Sequence, residues 1–445
     1  MDKYKWSYYN YLVVDKDVGY FLIYNTKSGA VGSGKLSNIS ENDLKDDPNL
    51  LLNHEYFSFF IENGMIIDSS INEIEELKKL HNNPVSKNIT LTILPTVSCN
   101  FGCSYCFVNT MPATSDTSMP PDIRNGILKY IDKVSKENEI EMVEIIWFGG
   151  EPLLAVDSIE KFMTQLRVLA NVNNFVTSCT IVTNGYLLTP EVFDRLYDNL
   201  VRVYQITLDG TKETHDIYRR ILNDNSPTFD IIYQNLLAIK CKPEKDVLVQ
   251  IRANFLKNNI DSMKDLLKMY EQDFKDDNRF SLCFRPIIDF EKGMPSELLT
   301  IKKEARNLEF DMMRLMEEHQ IDVGDLNRMF SVLPTPIDRW CRIGETYRYI
   351  ISYDGSLYHC NACVSDKSAQ IGKIDKDGNI ITVPSITDWQ YSVFDYSDVS
   401  CIKCRRLPIC MGGCVRERNK TGMSPCHWTD DYIYRSMKYV LQQSL

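Results

Sequence analysis

Three thiols stand at Cys99, Cys103 and Cys106 in C-x3-C-x2-C spacing, directly after a strand-like run, and eight more crowd the last quarter of the chain. Thiolates in short clustered spacings select iron–sulfur clusters, zinc or copper(I), and a reducing compartment disfavours disulfides between them. A 4Fe-4S cluster takes four thiolates, so a triplet leaves one iron open to a ligand that is not protein. Structural zinc closes four ligands and usually draws cysteines in pairs. No fourth Cys or His lies near this triplet in sequence.

Other polar groups recur at the ends of strand-like runs. After Ile145-Ile146-Trp147-Phe148 comes Gly149-Gly150-Glu151-Pro152. Glycines let a backbone approach a ligand closely, and Glu151 can accept from an ammonium group. Thr183-Asn184-Gly185 and Thr207-Leu208-Asp209-Gly210 end the next two runs, the second leading to His215-Asp216 and Arg219. Asn-Gly and Asp-Gly are also ordinary turn chemistry. His215 is given no role, and Arg252 and Asn254 lie on a later run where they could face a cofactor or substrate.

Positioning these groups requires repeated strand–helix units. Strands are expected at Ile89–Leu94, Val143–Phe148, Cys179–Val182, Val203–Leu208, Val247–Asn254 and Phe280–Pro286. Helices are expected at Ile123–Val134, Ser158–Ala170, Pro190–Leu200, Phe229–Ile239 and Asp261–Tyr270. Such alternation implies an α/β fold with a parallel sheet and right-handed crossovers, six units making a partial (β/α)6 TIM-like barrel with its site at the carboxyl ends of the strands. Residues 290–335 read as a charged helical linker. Cys179 and Cys283 fall in strand-like runs as small core residues, and Cys241 follows a helix.

The triplet, Gly149–Pro152 and the strand ends with Thr183, Thr207 and Arg219 resemble the radical S-adenosylmethionine enzymes over most of the chain. The resemblance implies that Cys99, Cys103 and Cys106 hold a 4Fe-4S cluster whose open iron is chelated by the methionine end of S-adenosylmethionine. Tyr105 would lie beside the adenine, and Gly149, Gly150, Glu151 and Pro152 would meet the amino group. Thr207, where the family more often has Ser, and Arg219 would serve the carboxylate and ribose end, with Thr183, Asn184 and Asp209 as further contacts. Reductive cleavage would give a 5'-deoxyadenosyl radical that abstracts a hydrogen atom. No residue is assigned as catalytic.

The later cysteines follow C-x13-G-x4-C, then C-x2-C-x5-C-x3-C, then a final C, and this order resembles the SPASM auxiliary-cluster domain with Gly355 at its glycine position. By resemblance Cys401, Cys404, Cys410 and Cys426 hold a distal cluster, and Cys341, Cys360 and Cys414 a proximal one. Cys363 is either the fourth proximal ligand or a bystander or reactive thiol. The cofactors expected are thus S-adenosylmethionine and three 4Fe-4S clusters, one radical and two auxiliary. Two zinc ribbons are the alternative, which the Cys401/Cys404 pair alone would fit.

The chain has 445 residues, enough for two or three domains. The expected division is 1–85, a winged-helix-like domain; 86–325, the barrel; and 326–445, the SPASM domain. The first segment has no cysteine. It reads as a three-stranded meander from Tyr8–Val14, Tyr20–Tyr24 and Gly29–Gly34, a capping-box signal at Ser40–Asp43, and helices at Glu55–Asn63 and Asn72–His81. Its 13 Asp/Glu against 8 Lys/Arg, and the net charge of -11, argue against a nucleic-acid partner. No apolar run approaches the ~18 residues that span a bilayer, so no membrane is expected and the location expected is the cytoplasm.

Radical enzymes with this auxiliary module include those that install formylglycine in sulfatases. They carry Asp after the cysteine equivalent to Cys360, whereas here the residue is Asn361, an amide of no use as a base. The amino-terminal module resembles those that capture the leader of a ribosomally made precursor peptide, as does the turn Tyr24–Gly29. The expectation is therefore a peptide maturase of the sactipeptide or ranthipeptide type. It would bind the leader through residues 1–85, draw electrons from a flavodoxin- or ferredoxin-type reductant, and form a Cys thioether. A carbon–carbon cross-linking or epimerising maturase, a sulfatase-maturing enzyme and a non-catalytic iron–sulfur scaffold are the alternatives.

Overall fold

The computed structural model describes residues 3–80, 86–108, 111–112, 117–287, 299, 302–321, 332–343, 345–383 and 396–443. The chain forms two compact units that interleave in sequence: Met1–Pro84 with Asp325–Arg342 and Ser392–Leu445, and Val85–Gly324 with Ile343–Tyr391. The cysteine-rich segment 326–445 is thereby divided between them.

In the first unit, β1 (Tyr4–Trp6) pairs antiparallel with β5 (Ile66–Asp68), and β2 (Asn10–Asp15), β3 (Tyr20–Asn25) and β4 (Val31–Lys35) form an antiparallel meander. Helices α1 (Phe57–Glu62) and α2 (Glu73–Leu80) flank β5. The Ser40 capping box forms, with Ser40 Oγ donating to Asp43 at 2.6 Å and accepting from the Asp43 N–H at 3.2 Å, yet it closes only a turn. Pro48 disfavours helical backbone at Asp47, so the signal has nothing to propagate into. The helix Asp430–Gln443 packs across β2 and β3. Tyr11 donates to Asp430 at 2.6 Å and lies edge-on to Tyr434, Thr26 donates to the Arg405 carbonyl at 2.5 Å, and Tyr8 to that of Lys403 at 2.6 Å. Tyr9, Leu77, Leu407 and Met411 share one buried cluster.

In the second unit, six parallel strands lie side by side in chain order: β6 (Asn88–Ile93), then β9 (Met142–Trp147), β10 (Val176–Thr183), β11 (Val203–Thr207), β12 (Leu248–Phe255) and β13 (Phe280–Pro286). A short parallel pair, β7 (Ser98–Cys99) with β8 (Met111–Pro112), follows β6. The crossovers carry α3 (Pro121–Glu137), α4 (Val156–Asn173), α5 (Pro190–Asp198), α6 (Lys212–Tyr218), α7 (Phe229–Lys240) and α8 (Ile260–Asp273). This is the α/β architecture with a large parallel sheet that the alternation implies. The expected linker contains α9 (Lys302–Glu318), which packs on β13 and follows the six crossover helices; residues 290–298, 300–301 and 322–331 of that stretch lie outside the described residues.

Register divides the sheet into two chemistries. Ile93, Trp147, Ile181, Tyr204, Val249 and Phe280 stand in one row across six strands and are all buried on the helix side. Each such side chain contributes about 1.5–3 kcal/mol on burial. The other face is polar: Gln205, Gln250 and Ser281 form one row, and Thr207, Arg252 and Cys283 the next. Gln205 donates to Gln250 at 2.7 Å. Beyond β6 the sheet continues with parallel β14 (Arg348–Ile351) and antiparallel β15 (Ser356–Tyr358), β16 (Gly372–Ile374) and β17 (Ile380–Thr382), residues the sequence places in the cysteine-rich domain.

Candidate functional site

The cysteine triplet leaves the end of β6 on a loop whose partner is not another strand of the sheet. The N–H groups of Gly102, Ser104 and Leu222 bond the carbonyls of Arg220, Tyr218 and Asn100 at 2.9, 3.2 and 2.9 Å, lacing the loop to the segment that follows α6. This brings Arg219 beside the triplet, its guanidinium 5.6 Å from the Phe101 ring and its charge acting on the Cys103 thiol. Cys99 feels both other thiols of the triplet and Cys103 feels that of Cys106, and burial pushes the two up to about 12 and about 11. A metal must therefore displace protons here, as thiolate ligation always does.

Behind the loop, Thr96 and Ser98 hydroxyls meet the Thr117 hydroxyl at 2.9 and 2.6 Å. The N–H groups of Gly150 and Glu151 donate to the carbonyls of Thr96 and Ser98 at 3.2 and 2.8 Å. A Cβ on Gly150 would stand 2.1 Å from the Ser98 oxygen, and one on Gly149, whose φ is +135°, 2.3 Å from that of Thr96. Only glycine permits this approach. Glu151 is buried and accepts from the Thr183 hydroxyl at 2.6 Å and from the Asn184 and Leu153 N–H groups at 2.8 and 3.0 Å. Burial raises its pKa against those three bonds. Pro152 opens the turn that presents the Leu153 N–H.

At the end of β11, Asp209 accepts from the Tyr105 hydroxyl, from the Asn254 N–H at 2.8 Å and from its side-chain amide at 3.2 Å. Arg219 Nη1 donates to the Tyr105 hydroxyl at 2.8 Å and stands 3.8 Å from Asp209. Burial raises the Asp209 pKa and Arg219 opposes it. Thr207, two residues earlier on β11, is also buried. The structure thus brings together Cys99, Cys103, Tyr105, Glu151, Thr183, Asn184, Asp209 and Arg219.

His215, which the sequence left without a role, proves to be a brace. Its Nδ1 accepts from the Asp209 N–H at 3.1 Å, its Nε2 meets the Thr228 hydroxyl at 3.1 Å, and that hydroxyl donates to the Arg219 carbonyl at 2.6 Å. Burial and Arg219 hold the imidazole neutral, as this tautomer requires. Asp216 caps α7, accepting from the Thr228 and Phe229 N–H groups at 2.8 and 3.0 Å.

Among the late cysteines, the Cys410 thiol is pushed up to about 12 by burial and by the nearby Cys401, Cys404 and Cys426. Cys401, Cys404 and Cys426 therefore lie near Cys410 within the first unit. Cys341 and Cys414 belong to that unit, while Cys360 and buried Cys363 belong to the second, joined by a 2.9 Å bond from the Cys363 N–H to the Cys360 carbonyl. Cys179 is buried in the helix-side core, Cys283 is buried on the polar face and Cys241 is exposed. Among the described residues no three His, Cys, Asp or Glu side chains already close round a single ion.

Residues 93–269 match the family model of the Radical SAM superfamily. That segment, and not the whole chain, is what the family model describes. The chain is 26% identical over 368 residues to a cysteine-type anaerobic sulfatase-maturating enzyme of Clostridium novyi (strain NT), covering 81% of this chain and 96% of that protein. Among solved structures, native anSMEcpe with bound AdoMet is similar at a TM-score of 0.59 and 21% identity, covering 80% of this chain and 96% of that one. Streptococcus suis SuiB bound to precursor peptide SuiA is similar at a TM-score of 0.53 and 16% identity, covering 95% and 98%. These likenesses show a shared fold.

A radical SAM domain implies S-adenosylmethionine and a 4Fe-4S cluster, and the residues present fit both. Three soft thiols share one loop. Arg219 Nε and Asn100 Nδ2 are buried beside it without a hydrogen-bond partner, so the site holds more donors than its own acceptors satisfy. Among the described residues, no helix is long and apolar enough to cross a membrane.

Proposed function

We propose that this radical SAM protein is a maturase of a ribosomally made peptide, forming a thioether between a Cys sulfur and another residue of that peptide. The gathering of Cys99, Cys103 and Cys106 on a loop laced to the Arg219 segment, with buried Glu151 behind it, carries the reading. When bound, the cluster and S-adenosylmethionine supply a radical able to take a carbon-bound hydrogen. The chain's own residues bind and orient. Tyr105, Thr207, Asp209 and Arg219 would hold the nucleoside and carboxylate end, while Gly149–Pro152, Thr183 and Asn184 would form the seat of the amino group. Cys401, Cys404, Cys410 and Cys426 would hold one auxiliary cluster, and Cys341, Cys360, Cys414 and Cys363 would serve a second.

Support for a peptide substrate comes from the similar proteins, whose names describe maturation of a protein or binding of a precursor peptide. The meander β2–β4 offers two outer strands, each paired on one side only within its sheet, to which an extended leader can add. Sulfatase maturation is the second reading, favoured by the curated relatives and opposed by Asn361, which offers no base in the turn Asn361–Cys363. Incubating reduced, reconstituted protein with S-adenosylmethionine tests the first step. 5'-Deoxyadenosine should form, and should vanish when Cys99, Cys103 and Cys106 are all Ala; none from the wild type would leave a non-catalytic scaffold. The mass and bonded atoms of a product from a Cys-containing precursor then decide between thioether, carbon–carbon bond, epimer and formylglycine.

A further inference from the structure

The first unit joins the amino-terminal strands to the late cysteines through side chains to which the reading above gives no role. Tyr11 on β2 donates to Asp430 Oδ1 at 2.6 Å, and Arg406 Nη1 stands 3.3 Å from the same oxygen. Arg406 in turn bonds the side chain of Cys404. One acid and one base therefore link a strand residue to a sulfur.

Tyr9, in the turn before β2, approaches the same sulfurs. It is 1% exposed and packs with Leu407 and Met411 in the cluster against which Cys401 also rests. Its hydroxyl feels the Cys404 thiol, yet it is buried with no hydrogen-bond partner among the described residues. Glu73, which also acts on it, is taken by the Ser7 hydroxyl and the Tyr8 N–H at 2.6 and 2.8 Å. The carbonyls of Lys403 and Arg405 are taken by Tyr8 and Thr26. A buried hydroxyl without an acceptor is costly, and the sulfurs of an iron–sulfur cluster are acceptors. Cys401, Cys404 and Cys426 all act on Cys410, so four soft ligands fit for one cluster lie beside these two donors.

We propose that the amino-terminal module furnishes the outer shell of the auxiliary cluster at Cys401, Cys404, Cys410 and Cys426. The Tyr9 hydroxyl and the Arg406 guanidinium, the latter held by Asp430 and Tyr11, donate to its sulfurs and raise its reduction potential. Donors and positive charge favour the reduced cluster, which carries the extra electron. Tyr9 and Arg406 are thus positioning and tuning residues rather than ligands. The inference rests on the auxiliary-cluster reading of these cysteines.

The test is a dye-equilibrated reductive titration of the reconstituted full chain, read by electron paramagnetic resonance with iron counted in every sample. Cys410→Ser identifies the distal wave, since it should lose about four irons together with one reduction step. Iron kept in full by Cys410→Ser would overturn the auxiliary-cluster reading itself. With that iron accounted for, Arg406→Gln should lower the distal midpoint by about 59 mV, a tenfold fall in the ratio of reduced to oxidised cluster at fixed potential. Tyr9→Phe should move it the same way at unchanged iron, and Arg406→Lys, which keeps the charge, should recover part of the shift. A purely structural role would lower the melting temperature or the iron content and leave the midpoint of the remaining clusters in place. A distal midpoint unchanged in both Tyr9→Phe and Arg406→Gln, each with full iron, overturns the outer shell.

Discussion

Thr183 donates its hydroxyl hydrogen to Glu151 Oε1 across 2.6 Å, tying the end of β10 to the glycine turn after β9. The same carboxylate takes two backbone N–H groups, so three donors converge on one buried acid. Glu151→Gln would turn an amide N–H2 toward at least one of them. The unmatched donors should cost about 1–3 kcal/mol. We expect a lower melting temperature and at least about tenfold weaker S-adenosylmethionine binding, whereas Thr183→Ser should retain most of both. Unchanged affinity in Glu151→Gln would remove Glu151 from the cofactor seat.

Gly150→Ala should be more harmful than an ordinary glycine replacement, because the added methyl would lie 2.1 Å from the Ser98 carbonyl oxygen. The loop bearing Cys99 must shift, at a cost of about 1–3 kcal/mol or more. Gly422→Ala is the control: its φ is +69° and nothing lies within 4 Å of the new Cβ, leaving only the left-handed backbone cost of about 1–2 kcal/mol. Iron bound per chain should fall in Gly150→Ala and hold in Gly422→Ala.

Asp209 links stability to pH. Burial raises its carboxyl above 3.8, so the folded protein without cofactor binds more protons than the unfolded chain in that window. Its contribution therefore falls as pH rises from about 3.8 through the folded value. Asp209→Asn cannot titrate, and its stability relative to wild type should climb over the same range while cofactor binding weakens. Urea midpoints of both apoproteins between about pH 4 and about pH 7 measure the difference; a flat difference contradicts the assignment.

Removing residues 1–80 tests more than the proposed peptide capture. The helix Asp430–Gln443 would lose β2 and β3, and the carbonyls of Lys403 and Arg405 would lose Tyr8 and Thr26. These carbonyls flank Cys404, so the truncated protein should lose about four irons along with leader binding. Cys410→Ser should lose the same iron and keep the leader. Full iron in the truncated protein would show that the cysteine segment folds without its sheet.

Much of the barrel was legible because its strands alternate with helices at regular intervals and its chemistry sits at strand ends. Ile145–Phe148 leads into Gly149–Pro152 in sequence as in space. The meander could be read from Tyr8–Val14 and Tyr20–Tyr24 for the same local reason. What could not be read is what joins distant segments. No periodicity announces that the Tyr218–Leu222 stretch laces to the cysteine loop, or that His215 braces Asp209 against Arg219, since both depend on the α6 turn returning under β6. Arg348–Ile351 joins the sheet beside β6 across more than two hundred intervening residues, which no local signal encodes.

The interleaving of the two units bears on how the chain is made. The strands β2 and β3 leave the ribosome some four hundred residues before the helix that covers them, Asp430–Gln443. Closure of that unit must wait for this helix, by which time the barrel strands β6 to β13 are already made. During that interval Tyr9, Tyr11 and Tyr24, buried in the finished unit, stay exposed to solvent. Loss of Asp430–Gln443 would strand the β2–β4 meander rather than trim a dispensable helix.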